Sequence, residues 1–311
     1  MFKGWIAATF ALIVWGMTFA STRALLADFS ALEILVMQFS LAWVALYGIE
    51  RLRSAAKRGS WRNEWIFAAM GLTGIVAYQF LENCAIYYTN ASNVAILVSF
   101  GPIVTAFMAK AFAKSGQFSA RLVAGSLVAV CGVALISLNG MVEFELRPIG
   151  DAMALCAIAS WGFYSILLDA ANERGISPLV AIRKAFGWSL AMMAPFVAWG
   201  MTESGICALD GSFAVMLDAA ANVQRFADPV NWMNIAFLGL LASAASFVLW
   251  SAACKSLGVV KTTVALYLTP IVGVVFAATF LGERVTWLEV VGGGVILVGV
   301  AIATTVKGGV K

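Results

Sequence analysis

The sequence predicts an all-α integral membrane protein with ten transmembrane helices, arranged as two inverted five-helix repeats. Its composition, its apolar runs and an internal duplication all point to this fold. Hydrophobic residues make up 62% of the 311 residues and charged residues 12%, whereas soluble domains carry about 25% charged residues. A spanning helix needs about 20 apolar residues, so ten of them would use about 200 and leave only short connections.

The apolar runs follow one another between charged residues or Pro- and Gly-containing breaks, and each is long enough to cross a bilayer. The first five lie at 4–23, 30–49, 65–88, 92–113 and 121–138, and the second five at 149–170, 179–201, 231–254, 259–281 and 286–306. Only the connection at 202–230 is long, and we expect it to be an extracytoplasmic loop between helices 7 and 8.

The second half of the chain repeats the first. Trp15 aligns with Trp161 at an offset of 146, and Pro102 aligns with Pro270 at an offset of 168. These matches divide the chain into repeats at 1–140 and 149–306. Because five is an odd number of spans, the second repeat enters the membrane from the opposite side, as in many secondary transporters. The chain would then act as a monomer with internal pseudo-two-fold symmetry.

The distribution of basic residues orients the helices. Cytoplasmic loops of membrane proteins are enriched in Lys and Arg. With both termini in the cytoplasm, 14 of the 20 basic residues fall in inside segments, and the outside segments hold only Arg23, Arg147, Arg225 and Arg284. We therefore expect both termini to lie in the cytoplasm. As a separate expectation, the chain is a multi-pass protein of the bacterial inner membrane.

Residue usage excludes several functions. The chain has no histidine, which removes imidazole metal sites and Ser-His or Cys-His nucleophile pairs. The five cysteines are scattered, with no CxxC pair. A net charge of +4 is too small and too dispersed for a nucleic-acid surface. We expect no cofactor, no metal and no nucleic acid, and as partners only a small-molecule substrate and the lipid bilayer.

Several short motifs resemble the drug/metabolite transporter superfamily, in its ten-helix EamA-type branch. They are Trp15-Gly16, Gly101-Pro102, Thr269-Pro270, Leu281-Gly-Glu-Arg284 and the run Gly292-Gly-Gly-Val-Ile-Leu-Val-Gly299. The resemblance covers essentially the whole chain. It implies a carrier for small metabolites, often an exporter, in which helices 1–4 and 6–9 line a central cavity and helices 5 and 10 pack together. Within the family, the aromatic amino-acid exporters of the YddG type are the most similar in overall character.

One motif departs from the family pattern. The Leu-Gly-Glu turn that follows helix 9 is usual after helix 4 as well, where this chain reads Lys114-Ser-Gly-Gln117. A role shared symmetrically by two glutamates is therefore not expected here.

Glu82 is the sharpest candidate for chemistry, because it lies well within the third span. An ionised carboxylate there costs a few kcal/mol unless it faces water or a partner, which makes a functional site the default hypothesis. Tyr78 shares its helix face, and Asn83 adds a polar group one residue on. Glu82 could instead be hydrated near the outer surface or hold a neighbouring helix, and proton coupling by Glu82 is a narrower hypothesis.

Polar and aromatic residues on other helices complete the predicted cavity. Ser246 and Trp250 of helix 8 align with Tyr78 and Glu82 of helix 3 at offset 168. Aromatic rings with hydroxyl or indole donors suit an amphipathic, partly aromatic solute. Each aromatic taken singly could instead belong to an interface belt or to helix packing. The remaining candidates are Trp15, Gln38, Ser99, Trp161, Tyr164 and Tyr267.

Two further pairs of residues can each be interpreted in two ways. Arg183 and Lys184 near the start of span 7 either attract a carboxylate or extend to the headgroups. Pro102 and Pro270 lie at matched positions within helices 4 and 9, where they remove a backbone donor and break the helix. Matched breaks of this kind indicate a transporter site with hinges. Ordinary tolerated kinks are the alternative.

The sequence thus predicts a secondary transporter rather than an enzyme. It would export small metabolites by alternating access, with amino acids of aromatic or hydrophobic character as the first choice. A multidrug or nucleotide-sugar carrier of the same superfamily is the alternative, and an intramembrane lipid-modifying enzyme is a remote one, since no carboxylate cluster or GxSxG motif is present.

Overall fold

The long apolar runs form helices, because a segment in hydrocarbon must satisfy every backbone N–H and C=O internally. The computed structural model describes residues 2–29, 31–52, 61–89, 91–112, 118–138, 147–200, 223–280 and 284–304. Of the predicted loop at 202–230, residues 202–222 lie outside these ranges. Residues Val223–Phe226 form a short 3₁₀ turn just before helix 8.

We number the main helices α1 to α10 in chain order. Six of them are continuous: α1 (Phe2–Leu25), α2 (Ala31–Leu52), α5 (Ala120–Leu138), α6 (Pro148–Glu173), α7 (Pro178–Gly200) and α10 (Trp287–Thr304). The other four change geometry along their length: α3 (Glu64–Gly71, Leu72–Ala77, Tyr78–Tyr88), α4 (Ala91–Val98, Gly101–Phe112), α8 (Pro229–Ala236, Phe237–Ala245, Ser246–Leu257) and α9 (Val259–Val264, Ala265–Leu268, Thr269–Phe280). We call the end of the assembly at which α1 begins the terminal end.

Eight stretches of the described residues are long and apolar enough to cross a membrane by length and composition. They fall within α2–α6 and α8–α10, and Phe2–Thr18 of α1 is a shorter apolar helix by the same measure. Helix α7 is not among the eight, since Arg183 and Lys184 lower its mean hydropathy. The chain is thus an all-helical, multi-pass protein over its described part, and the count of ten spans stays a prediction.

Helix starts follow capping chemistry. Asp228 accepts a hydrogen bond from the Val230 backbone N–H at 2.8 Å, with Pro229 as the first residue of α8. At the start of α10, Thr286 and Glu289 form a reciprocal capping box, in which the Thr286 N–H donates to Glu289 Oε2 at 2.7 Å. These caps satisfy backbone donors that would otherwise be exposed where each helix begins.

The helices α1 to α4 and α6 to α9 form two bundles. Helix α1 packs on α8 and α9, and α2 packs on α8, which makes the first bundle α1, α2, α8 and α9. Helix α6 packs on α3 and α4, and α3 packs on α7, which makes the second bundle α3, α4, α6 and α7. Each bundle therefore combines two helices from each half of the chain.

Helices α5 and α10 form a separate, tightly packed pair. Their backbones approach so closely that a Cβ atom built on Gly125 would lie 2.4 Å from the Ala303 backbone nitrogen, and one built on Gly132 would lie 2.6 Å from the Gly292 carbonyl oxygen. Small residues permit this approach, which is the usual way in which membrane helices associate.

Two stretches of π-helix interrupt α3 and α8, and the sequence analysis did not predict them. They are Leu72–Ala77 and Phe237–Ala245, which overlap at the repeat offset of 168. A π turn shifts the hydrogen-bonding register, so some carbonyl groups need other donors. Ser160 Oγ of α6 donates to the Thr73 carbonyl at 2.8 Å, and Trp15 Nε1 of α1 donates to the Ala242 carbonyl at 3.0 Å. Each π stretch is therefore tied to the first helix of the other repeat.

Replacing Gly125 by Leu should destabilise the protein by at least about 1–3 kcal/mol, because the new side chain would overlap the α10 backbone. We expect a lower midpoint of thermal unfolding in detergent. Gly294→Leu on α10 is the matched control, since a Cβ there meets nothing within 4 Å; its unfolding temperature should stay the same or rise slightly. Equal losses for both variants would contradict close packing of α5 on α10.

Candidate functional site

An aromatic cluster lies where the two bundles meet. Trp15 of α1 lies 5.2 Å from Trp250 and 5.4 Å from Phe247 of α8, measured between ring centroids. Across the junction, Trp161 of α6 lies 6.4 Å from Trp15, 5.0 Å from Tyr164 and 5.3 Å from Tyr78 of α3. We refer to these six residues, Trp15, Tyr78, Trp161, Tyr164, Phe247 and Trp250, as the central cluster.

The two bundles contribute equally to the central cluster. Trp15, Phe247 and Trp250 belong to the first bundle, whereas the other three belong to the second. The rings meet at angles between 38° and 82°, in tilted or edge-to-face contacts that aromatic pairs favour over face-to-face stacking. Any relative movement of the bundles must therefore rearrange these contacts.

Glu82 reaches the central cluster through Tyr78. The Tyr78 hydroxyl donates to Glu82 Oε1 at 2.9 Å, one helical turn along α3, while the Tyr78 ring contacts Trp161. Both side chains are partly buried. A carboxylate at this depth is costly unless it is hydrogen-bonded, and the tyrosine provides one such bond. The side chain of Asn83 lies outside the described part of the structure.

Two hydrogen-bond donors in the central cluster are buried without an acceptor among the described residues. They are the Trp161 indole N–H and the Tyr164 hydroxyl, on side chains that are 8% and 0% exposed. Buried polar groups nearly always have a partner, and an exception calls for one that comes from elsewhere. Ordered water, or a bound solute with acceptor oxygens, would provide it.

Other predicted cavity residues use their polar groups locally. The Ser246 hydroxyl donates to the Leu241 carbonyl at 2.8 Å within α8, and the Ser99 hydroxyl donates to the Ile96 carbonyl at 2.6 Å within α4. Gln38 lies on α2 where that helix packs against Gly239 of α8. Tyr267 is buried in a different cluster, with Ala106 of α4 and residues of α5 and α10, so it is not part of the aromatic contacts described above.

Both predicted proline breaks coincide with a change in helix geometry. Helix α4 is interrupted between Val98 and Gly101, and Pro102 is the second residue of the segment that follows. Helix α9 passes through the 3₁₀ stretch Ala265–Leu268 directly before Thr269–Phe280, of which Pro270 is the second residue. Proline restricts the residue before it and clashes with the carbonyl four residues earlier, which explains why each break precedes the ring.

The two cations of α7 bind carboxylates of the protein. Arg183 Nε donates to Glu50 of α2, and Lys184 Nζ donates to Glu64 of α3. The Trp188 indole also donates to Glu64, at 3.2 Å. The sequence suggested lipid headgroups or a substrate carboxylate as the partners of Arg183 and Lys184. It did not reveal the ion pairs with Glu50 and Glu64. The carboxylates lie on other helices, far away along the chain.

Sequence reasoning also missed three phenylalanines. Phe247 contacts Trp15, Trp161 and Tyr164. The ring centroid of Phe186 on α7 lies 5.4 Å from that of Phe247, and the ring centroid of Phe39 on α2 lies 5.1 Å from that of Phe186. The chain has 21 phenylalanines, and none carries a polar atom that would mark it. The position of Phe247 one residue after Ser246, which the repeat alignment singles out, was a sequence signal that could have pointed to it.

Comparisons with known proteins agree with this architecture. The EamA-like transporter family model matches the chain twice, at residues 2–138 and 148–305. A probable terminal-alkyne amino-acid exporter of Streptantibioticus cattleyicolor is 28% identical, over 93% of this chain and 89% of the relative. A probable amino-acid metabolite efflux pump of Escherichia coli is 24% identical, over 96% and 94%. A solved crystal structure shares the fold, with a TM-score of 0.72 at 17% identity over 97% of this chain and 96% of that one.

The two family matches together cover most of the chain, and the similar proteins are named as exporters, efflux pumps and transporters rather than enzymes. The resemblance drawn from the sequence motifs is thereby confirmed. With its apolar helices and its two paired bundles, the chain belongs to the EamA-like transporter family and is a multi-pass membrane transporter.

Proposed function

We propose that this protein is a secondary transporter that exports small amino-acid metabolites with aromatic or hydrophobic side chains. The observation that carries the proposal is the central cluster, to which each bundle contributes half of the rings. Aromatic walls bind flat or apolar side chains, and the unpartnered Trp161 and Tyr164 donors suit a carboxylate or carbonyl oxygen. The names of the similar proteins, an amino-acid exporter and an amino-acid metabolite efflux pump, support the same substrate class.

The contacts of α5 with α10 support inverted repeats. Gly125 approaches Gly299, and Gly132 approaches Gly292. At the repeat offset of 167, Gly292 is the counterpart of Gly125, and Gly299 is the counterpart of Gly132. Each glycine thus contacts the counterpart of the other, as two elements related by a two-fold axis do. We infer inverted five-helix halves in one chain, with both termini in the cytoplasm of a bacterial inner membrane.

Inverted halves favour alternating access, in which one bundle tilts against the other around a central site. Contacts between the bundles at the terminal end include the Glu50–Arg183 ion pair, and Val260 and Val264 of α9 belong to the same cluster as Ala106 of α4. At the opposite end, the buried Arg225–Glu33 ion pair, at 2.9 Å, ties the segment before α8 to α2 within the first bundle. This arrangement supports a state closed toward the cytoplasm, and we propose that Pro102 and Pro270 act as hinges.

An organic cation is the second candidate substrate, because the central cluster adjoins the Glu82 carboxylate and aromatic faces attract cations. A nucleotide-sugar has less support, since Arg183 and Lys184 line a crevice outside the central cluster. The proposal includes coupling of transport to a proton carried by Glu82. Flux measurements test this part of the proposal.

Flux into liposomes that contain the purified protein tests the substrate class. The panel contains labelled aromatic and small amino acids, a nucleotide-sugar and a cationic drug, with and without a pH gradient. We expect saturable flux of the aromatic amino acids. Trp161→Ala should reduce their flux about ten-fold and that of small amino acids less, because the lost ring contacts the aromatic part of the solute. Trp287→Ala, an exposed tryptophan at the start of α10, is the control.

The same assay addresses Glu82. Glu82→Gln should remove the dependence of flux on the pH gradient if this carboxylate carries the coupled proton. Equal loss of large and small substrates in Trp161→Ala would point to misfolding, and an absence of amino-acid flux from folded protein would contradict the proposed substrate class.

Another prediction distinguishes the roles of two neighbouring ion pairs. Glu50–Arg183 joins the bundles, whereas Glu64–Lys184 lies within the second bundle. Glu50→Gln should favour opening at the terminal end, and Glu64→Gln should not. A net loss of about 1 kcal/mol would change the open population about five-fold.

The readout is labelling of Cys254, which is 1% exposed near the terminal end of α8, in protein whose other cysteines are replaced by serine. A membrane-impermeant maleimide should label Cys254 about five-fold faster in Glu50→Gln than in wild type or in Glu64→Gln. Equal rates in the two variants would show that the Glu50–Arg183 pair does not hold the bundles together.

A further inference from the structure

A charged crevice of about 340 Å³ lies outside the central cluster, between α2, α3 and α7. Trp43 lines one wall, Trp188 and Ala191 line another, and Glu64, Arg183 and Lys184 form the polar part. Trp188 is 40% exposed and Ala191 is exposed as well. The crevice therefore opens on the outer face of the helices, which in a membrane protein faces lipid, and not toward the space between the bundles.

The cations of the crevice have hydrogen-bond donors to spare. Arg183 uses Nε for Glu50, and its two Nη nitrogens make no hydrogen bond within the described part of the chain. Among the described residues, Lys184 donates a hydrogen bond to Glu64 alone and also lies over the Phe67 ring, although an ammonium group has three donor hydrogens. Free donors of a guanidinium beside an ammonium group match the oxygens of a phosphate group.

The depth of the crevice matches the level of lipid phosphates. Arg183 lies five residues after the start of α7, which is about 8 Å along the helix from the terminal end. Tryptophans and cations concentrate at this level of a bilayer, and basic pockets between membrane helices bind lipid headgroups. Trp43 and Trp188 present apolar rings that the glycerol and the upper acyl chain of a lipid can cover.

We propose that this crevice binds one phospholipid of the adjacent leaflet, with its phosphate on Arg183 and Lys184. Glu50 and Glu64 balance the two cations, so the pocket is neutral overall. Binding therefore depends on the phosphate and the acyl chains, with little selection for the charge of the rest of the headgroup. Because Trp43 belongs to the first bundle and Arg183 to the second, the bound lipid contacts both.

Native mass spectrometry of the full-length protein in detergent, titrated with phosphatidylethanolamine or phosphatidylglycerol, tests the site. Wild type should retain one phospholipid with either headgroup. Ala191→Phe, which fills the crevice and changes no charge, should bind it about ten-fold more weakly. Ala194→Phe is the matched control, since Ala194 is an equally exposed alanine on α7 that does not line the crevice.

A second variant tests the role of the phosphate. Arg183→Lys keeps a cation opposite Glu50 and removes the free guanidinium donors, so it should also weaken lipid retention. Inorganic phosphate at millimolar concentration should leave the bound lipid in place, because it lacks the acyl chains that cover the tryptophans. Unchanged retention in both Ala191→Phe and Arg183→Lys would overturn the proposal, and so would displacement of the lipid by inorganic phosphate. Neither result depends on transport, so each leaves the proposed function to its own test.

Discussion

The need to satisfy every backbone polar group in a medium without water underlies most features of this fold. Helices meet it along their length, and the two π stretches depart from it locally. At each of them a side chain from the other repeat donates to a backbone carbonyl: Ser160 to Thr73 in α3, and Trp15 to Ala242 in α8. A hydrogen-bonding need of the backbone thereby fixes how one half of the chain lies against the other, and it positions Trp15 within the central cluster.

The central cluster combines two physical properties that a transport site requires. Its rings provide apolar surface for a solute, while Tyr78, Tyr164 and Trp161 carry polar atoms among those rings. The rings also belong to two bundles that meet there, although the bundles pack on each other elsewhere as well, as α2 does on α7. In the proposed mechanism, the central cluster exchanges contacts between the bundles for contacts with the solute, and this exchange would allow alternating access.

The described cations of the spans and the Glu82 carboxylate have partners of different kinds. Arg183, Lys184 and Arg225 each bind a carboxylate on another element, and this attraction offsets part of the cost of removing the two charges from water. The ion pairs also affect how the helices are held together. Glu50–Arg183 joins the two bundles, whereas Glu64–Lys184 and Glu33–Arg225 each lie within one bundle. Glu82 has a tyrosine hydroxyl rather than a cation as its described partner, which is why the proposed function assigns a response to a ligand or a proton to this carboxylate.

The sequence by itself determined the all-helical membrane fold, the approximate helix positions and the family, because hydropathy, the repeat of Trp15 at Trp161 and the Gly and Pro motifs are local properties of the chain. It also pointed to Trp15, Tyr78, Trp161, Tyr164 and Trp250, which the structure brings together. Only the tertiary structure decided that Phe247 joins them, that Tyr267 packs elsewhere, and that Arg183 and Lys184 bind Glu50 and Glu64. These outcomes depend on which helix faces pack against each other, and the residues involved are more than a hundred positions apart in the sequence. The pattern of residues along the chain does not specify which faces meet.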